Sequence, residues 1–195
     1  MKNNVRKLTA MGMLTALSVV LVALIHFPIF PAAPFLEYDP ADIPILICGF
    51  AFGPVAGLCV TLIASVIQGL TVSASSGIYG IIMHFIATGV YVSVTSIIYS
   101  RHKTKKGAII ALLIGTVAMA AVMVPANYWI TSYFMSGSTD AFRETQQYVV
   151  TLLVPVIIPF NLIKAGINGV VTFLLYKSIS RLIHRGESKN TSAAE

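Results

Sequence analysis

Long apolar runs separated by short polar stretches organise this chain. Residues 8–27 supply about 20 mostly apolar positions, the length a helix needs to cross the hydrocarbon core of a bilayer. Further runs follow over 43–72, 78–99, 107–133 and 148–176. The basic residues ahead of the first run imitate a secretory signal. That run is longer than a signal core and no small-x-small cleavage site follows it, so it reads as a retained membrane helix.

The breaks between runs are as informative as the runs. Residues 28–42 carry Pro28, Pro31, Pro34 and Pro40 together with Glu37, Asp39 and Asp42, which predicts a non-helical loop. Within it, Asp39-Pro40-Ala41-Asp42 reads as a helix start, with Asp39 as N-cap, Pro40 at the first helical position and Asp42 one turn in. The same acids would serve a metal or paired-carboxylate chemistry only with companion ligands, and none accompanies them. The run over 43–72 is too long for one simple crossing and is interrupted by Gly53-Pro54.

Composition fixes the class. Of 195 residues, 56% are hydrophobic and only 10% charged, a balance that belongs to membrane proteins. The 13 basic residues outnumber the 7 acidic ones, but their placement excludes a nucleic-acid reading. Lys2, Arg6 and Lys7 precede the first run, Arg101, Lys103, Lys105 and Lys106 share one loop, and Lys177, Arg181, Arg185 and Lys189 follow the last run. Five acids, Glu37, Asp39, Asp42, Asp140 and Glu144, fall in the other two loops, so the basic clusters mark the cytoplasmic side.

That assignment decides how to divide 43–72. With the amino terminus inside, residues 37–42 are outside and the basic loop at 101–106 is inside, so an odd number of passes separates them. One helix over 43–72 and one over 78–99 give two; a break at Gly53-Pro54 gives three. The expected fold is thus an all-α membrane protein, a bundle of six transmembrane helices with both termini cytoplasmic. Its second helix is short enough to need packing inside the bundle. A polar loop over 136–147 joins helices five and six, residues 1–183 form one membrane domain, and 184–195 read as a disordered cytoplasmic tail. Cys48 and Cys59 read as small buried hydrophobes.

Candidate chemistry is sparse. No phosphate loop, no H-E-x-x-H, no G-x-S-x-G and no metal-spaced histidine pair is present, so an enzyme has no support. Lys164, by contrast, stands alone near the centre of the last run, three residues after Asn161, which puts both on one helix face. A lysine at the centre of a lipid-embedded helix costs roughly 2.5 to 3.5 kcal/mol on insertion scales and therefore faces a cavity, a ligand or a partner charge. Two readings follow: a binding site, or an ion pair with a loop carboxylate. In the first, Lys164→Met folds at least as well as the parent; in the second it does not. His84, in the fourth run, reads equally as a cavity residue or a satisfied interior histidine. Gly12 and Ala16 form a small-xxx-small face that serves either a partner helix or packing within the bundle.

These residues together resemble a known family. The stretch Phe35-Leu36-Glu37-Tyr38-Asp39-Pro40-Ala41-Asp42-Ile43-Pro44 leads into Gly49-Phe50-Ala51-Phe52-Gly53-Pro54, Asn127-Tyr128 follows in the fifth run, and Pro159-Phe160-Asn161-Leu162-Ile163-Lys164 in the sixth. The pattern is similar to that of the substrate-binding S components of energy-coupling factor (ECF) vitamin transporters, most of all their riboflavin-binding member. The resemblance implies a protein of the bacterial cell membrane that binds riboflavin as transported ligand, with no cofactor of its own. Delivery then requires a transmembrane coupling subunit and two ATPases. It also implies docking through helix 1, where Gly12 replaces the first alanine of the family's Ala-xxx-Ala and Ala16 keeps the second.

The flavin's chemistry suits the polar pair. Its ring presents two carbonyls and an imide N–H on one edge; an ammonium donates to carbonyls, and an amide both donates and accepts. Asn161 and Lys164 would meet that edge, Asn127 is carried over as a second polar contact, and Phe35, Leu36 and Tyr38 would cover the ring. The alternatives are an S component for a different vitamin or cofactor, or a stand-alone facilitator. The facilitator needs a continuous polar path, whereas the polar residues concentrate in one half of the bundle.

Overall fold

The computed structural model describes residues 2–137 and 141–191, with side chains for 4–137 and 141–176. It is a helical bundle with one small hairpin. The first helix, α1 (Lys2–Leu24), leads to a two-stranded hairpin, β1 (Phe27–Pro28) and β2 (Glu37–Tyr38), and then to α2 (Asp42–Phe52) and α3 (Pro54–Leu70). A single 3-10 turn over Ala74–Ser76 opens α4 (Gly77–Arg101). Next come α5 (Lys105–Ala126), a π-helical turn (Asn127–Thr131) and α6 (Ser132–Ser136), which form one continuous rod. The last rod joins α7 (Phe142–Leu152), a second π turn (Leu153–Ile157) and α8 (Ile158–Thr191).

Among the described residues four helical stretches are long and apolar enough to span a membrane: Asn4–Leu24, Ala74–Arg101, Lys105–Ser136 and Phe142–Tyr176. Two more apolar helices, α2 and α3, are shorter. At 1.5 Å per residue, the 11 residues of α2 reach only about 16 Å, roughly half the hydrocarbon thickness. Such a helix cannot be left in lipid with both ends unsatisfied. Every residue from Asp42 to Phe50 is accordingly buried, enclosed by α1, α3, α4 and α8. The break before α3 falls where Gly53 adopts φ 89°, a left-handed backbone open to glycine at little cost, and Pro54 begins the next helix at the position where its missing N–H is harmless.

Several expectations are corrected. Residues 28–42 are not wholly irregular, since Phe27 pairs with Tyr38 and Pro28 with Glu37 in an antiparallel ladder; the prolines stay clear of its pairing except at its end. Asp39 is not the N-cap: α2 starts at Asp42, with Ala41 in the cap position. The carboxylate of Asp39 instead accepts the Ala41 N–H at 3.0 Å, closing a local turn that leaves its other oxygen available. The polar loop expected over 136–147 is helical from Phe142 onward, an amphipathic helix with Glu144 in its first turn, complementing the dipole. Residues 138–140 of that stretch lie outside the described ones. Cys48 is buried as expected, whereas Cys59 lies on the exposed face of α3, where lipid suits a small apolar side chain as well as a core does. The backbone of α8 runs as helix to Thr191, and residues 192–195 lie outside the described ones.

Candidate functional site

The residues on one face of α8 build the site outward. Asn161, Lys164 and Asn168 follow one another at three and four positions, so they stack along a single stripe, and all three are buried. Lys164 Nζ donates to Asp39 Oδ2 at 2.6 Å. Asn168 Nδ2 donates to the Asp39 carbonyl at 3.0 Å and to Asp42 Oδ2 at 2.9 Å, while Tyr38 Oη donates to Asn168 Oδ1 at 3.1 Å. On the far side Thr88 Oγ1 donates to Asp42 Oδ1 at 2.6 Å, and Ser65 Oγ lies 2.7 Å from Nδ1 of His84. A connected polar network therefore ties α8 to the hairpin loop, α2 and α4, and the Ser65–His84 contact beside it joins α4 to α3.

The electrostatics follow from that geometry. Burial pushes the Asp39 carboxyl up, but the Lys164 ammonium, with the Ala41 N–H, more than offsets it and holds the group below its usual range. Burial, with the negative charges of Asp39 and Asp42, raises the Tyr38 hydroxyl, which keeps it protonated as a donor to Asn168. A buried ion pair of this kind is weak evidence for stability by itself. Losing one partner, however, strands the other charge away from water.

Above this network lies a cavity of about 160 Å³. Phe35 and Leu36 of the hairpin loop cover it, Met83 and Ala87 of α4 and Met119 and Met123 of α5 give it apolar walls, and Asn127, Asn161 and Lys164 add polar groups. The π turns shape this wall. Pro125 removes an N–H from α5, and the wider turn that follows turns Asn127, Ile130 and Thr131 together into the cavity. The second π turn, with Pro155, ends three residues before Phe160 and Asn161, which line the same cavity from the neighbouring rod.

Five of the six expected site residues thus meet in one cavity: Asn161, Lys164, Asn127, Leu36 and Phe35. Tyr38 does not line it. Its ring packs on Phe27 at 5.4 Å between centroids, and its hydroxyl is taken by Asn168. Asn127 is already engaged, with Nδ2 donating to Met123 O at 2.8 Å and Oδ1 accepting from Thr131 at 2.9 Å. Asn161 spends one N–H on Ile157 O at 2.8 Å, and its Oδ1 has no partner among the described residues. Gly12 and Ala16 lie elsewhere, exposed on the outer face of α1; a Cβ added at Gly12 would meet nothing within 4 Å. Packing within the bundle does not use that face. The residues missed from sequence are Asn168, Ser65, Thr88 and Gln68; Asp42 was read only as part of a helix start, and His84, left between a cavity and an interior role, lines the cavity. Asn168 carried a signal, being the third polar residue on the Asn161–Lys164 stripe.

A membrane bundle with an internal cavity and a buried lysine on a membrane-length helix is a small-molecule carrier component in outline, and comparison with known proteins makes this specific. The chain belongs to the family of substrate-specific components of ECF transporters, whose model matches residues 6–176. Riboflavin transporter FmnP of Bacillus subtilis (strain 168) is 30% identical over 94% of this chain and 97% of its own length. Riboflavin transporter RibU of Staphylococcus aureus (strain TCH60) is 31% identical over 92% and 93% respectively. A solved structure of the S component of a bacterial ECF transporter superposes with a TM-score of 0.76 at 28% identity, covering 94% of this chain and 99% of that one. The protein is therefore a multi-pass component of a bacterial membrane transporter and not an enzyme.

Proposed function

We propose that the protein is the riboflavin-binding subunit of an ECF importer. The observation that carries this is the polar edge of the cavity. Asn161 Oδ1 and its second N–H, with the two Lys164 protons not used by Asp39, supply an acceptor and donors on one helix face, the groups that an imide N–H and its two flanking carbonyls require. The names of the relatives support the same ligand. Phe35 and Leu36 would seal the ring from water, and Asn127, held by Thr131 and Met123, would contribute its remaining N–H. The exposed Gly12–Ala16 face would dock the coupling subunit, which with two ATPases would drive release. In this reading α2 and α3 count as crossings, giving six passes with both termini cytoplasmic.

The test is direct. Protein purified from riboflavin-supplied cells should absorb visible light as a flavin does, release riboflavin on denaturation, and quench flavin fluorescence on retitration. A colourless protein that fails to quench would overturn the reading, and a different small molecule released on denaturation would point to an S component for another vitamin.

A further inference from the structure

The cavity has a second polar wall that the flavin ring does not explain. Gln68, at the end of α3, lines the cavity and is 92% buried, yet its side-chain Oε1 has no hydrogen-bond partner among the described residues. An acceptor left unsatisfied in the interior costs free energy, and such groups are rare enough that each requires an explanation.

His84 lies on the same wall, one helix over, and its bonds can be traced proton by proton. Ser65 has a single hydroxyl proton, which its 2.7 Å bond to the Thr61 carbonyl uses, so the 2.7 Å contact with His84 is made by a proton on Nδ1. In the neutral ring Nε2 is then an acceptor. Its neighbours are Thr88 Oγ1 at 3.4 Å, whose proton goes to Asp42, and Asp42 Oδ1 at 3.9 Å, itself an acceptor. Neither can donate. Gln68 Oε1 is thus an acceptor without a donor and, with the proton on Nδ1, so is His84 Nε2; both residues line the cavity, from α3 and α4, where Asn161 and Lys164 line it from α8.

From this we infer that the α3–α4 wall is a subsite for hydroxyl donors, and that Gln68 is a specificity-determining residue that recognises the polyol chain of the ligand. This rests on the flavin reading above. The ring edge would be read by α8, while the hydroxyls of the side chain supply the protons that Gln68 and His84 lack. Gln68 is uncharged, so it recognises the chain as a hydrogen-bonding group and not through charge.

A cycle in which both protein and ligand are altered isolates the contact. Affinities of the parent and Gln68→Met are measured by flavin fluorescence for riboflavin and for lumiflavin, which has the same ring with a methyl group in place of the polyol. Gln68→Met should weaken riboflavin roughly tenfold and leave lumiflavin within twofold of the parent. Ligand-free Gln68→Met should unfold at a temperature no lower than the parent's, because a buried unpaired oxygen is removed. Equal weakening of both ligands, or of neither, would overturn the polyol assignment. Should the Met variant not fold, Gln68→Asn keeps the amide but withdraws it by one methylene, and the same loss of preference for riboflavin over lumiflavin is required of it. A parent protein that binds neither flavin would instead sink the flavin reading itself.

Discussion

Lys164 Nζ lies 2.6 Å from Asp39 Oδ2, joining the last long helix to the loop ahead of α2 across 125 positions of sequence. Of the two readings of Lys164, this pairing is the ion pair with a loop carboxylate, in which the lysine is not removed without loss to the fold. Lys164→Met would leave the Asp39 carboxylate, 4% exposed, without its counter-charge, at a cost of roughly 3 to 5 kcal/mol. Thermal unfolding of ligand-free protein in detergent should show a clear drop for Lys164→Met and for Asp39→Asn, and recovery of most of it in the double variant. Two independent, additive losses would mean the pair does not act as a unit.

The same pair sets an acid dependence. The folded-state value of Asp39 is depressed, so its stabilising contribution is complete above the ordinary carboxylate value of about 3.9 and is lost as pH falls through the lower folded value. The ligand-free parent should therefore lose unfolding temperature below about pH 4, and Asp39→Asn should show a shallower fall over the same range. An equal slope in both proteins would assign the acid sensitivity to other carboxylates.

The open face of α1 should matter to partners alone. With nothing within 4 Å of a Cβ at Gly12, a tryptophan there has room in the isolated subunit. Gly12→Trp and Ala16→Trp should bind riboflavin within about twofold of the parent, a difference near 0.4 kcal/mol, but fail to co-purify with the coupling subunit or to support uptake. Binding lost together with assembly would return these residues to the bundle's own packing.

Where two helices meet on glycine the expectation is opposite. A Cβ at Gly49 of α2 would overlap Ser96 Oγ and come within 2.6 Å of Val92 Cγ2, both on α4. Gly49→Ala should lower stability by about 1 to 3 kcal/mol. Gly166→Ala, which meets nothing within 4 Å, should be neutral or stabilising by up to about 1 kcal/mol, as helix propensity dictates. Parallel denaturation curves of the two variants compare them directly.

Orientation is open to labelling. In a background without Cys48 and Cys59, a cysteine at Lys105 should react only with membrane-permeant reagents in intact cells, and one at Gln147 should react with impermeant ones. Labelling of position 105 from outside would break the parity that divides residues 43–72 into two helices.

The helices were legible because apolar runs and Gly53-Pro54 report on local rules, namely hydrocarbon thickness and backbone geometry. Asn161 and Lys164 were legible because a charge among apolar neighbours needs a reason, and helical spacing gives it a direction. Asp39 was misread, since the same Asp-Pro-Ala-Asp stretch satisfies a capping pattern, and only the arrival of α8 over a hundred residues later decides where the carboxylate turns. His84 was legible as a cavity candidate but not distinguishable from an interior histidine, and Gln68 carried no signal. What His84 offers depends on which protons are already spent, and that is settled by Thr61, Ser65, Thr88 and Asp42 on three separate helices.

The bond from Asn168 to Asp42 spans 126 positions, and that distance is also a delay in biogenesis. At about 5 to 20 residues per second, a ribosome needs roughly 6 to 25 seconds after making Asp42 to supply its amide partner. Throughout that interval the nascent chain holds two carboxylates beside an apolar helix too short to span on its own. The insertion machinery must keep α2 sheltered until the final helix arrives, so a chain truncated before α8 would be left half-inserted and open to membrane quality-control proteases.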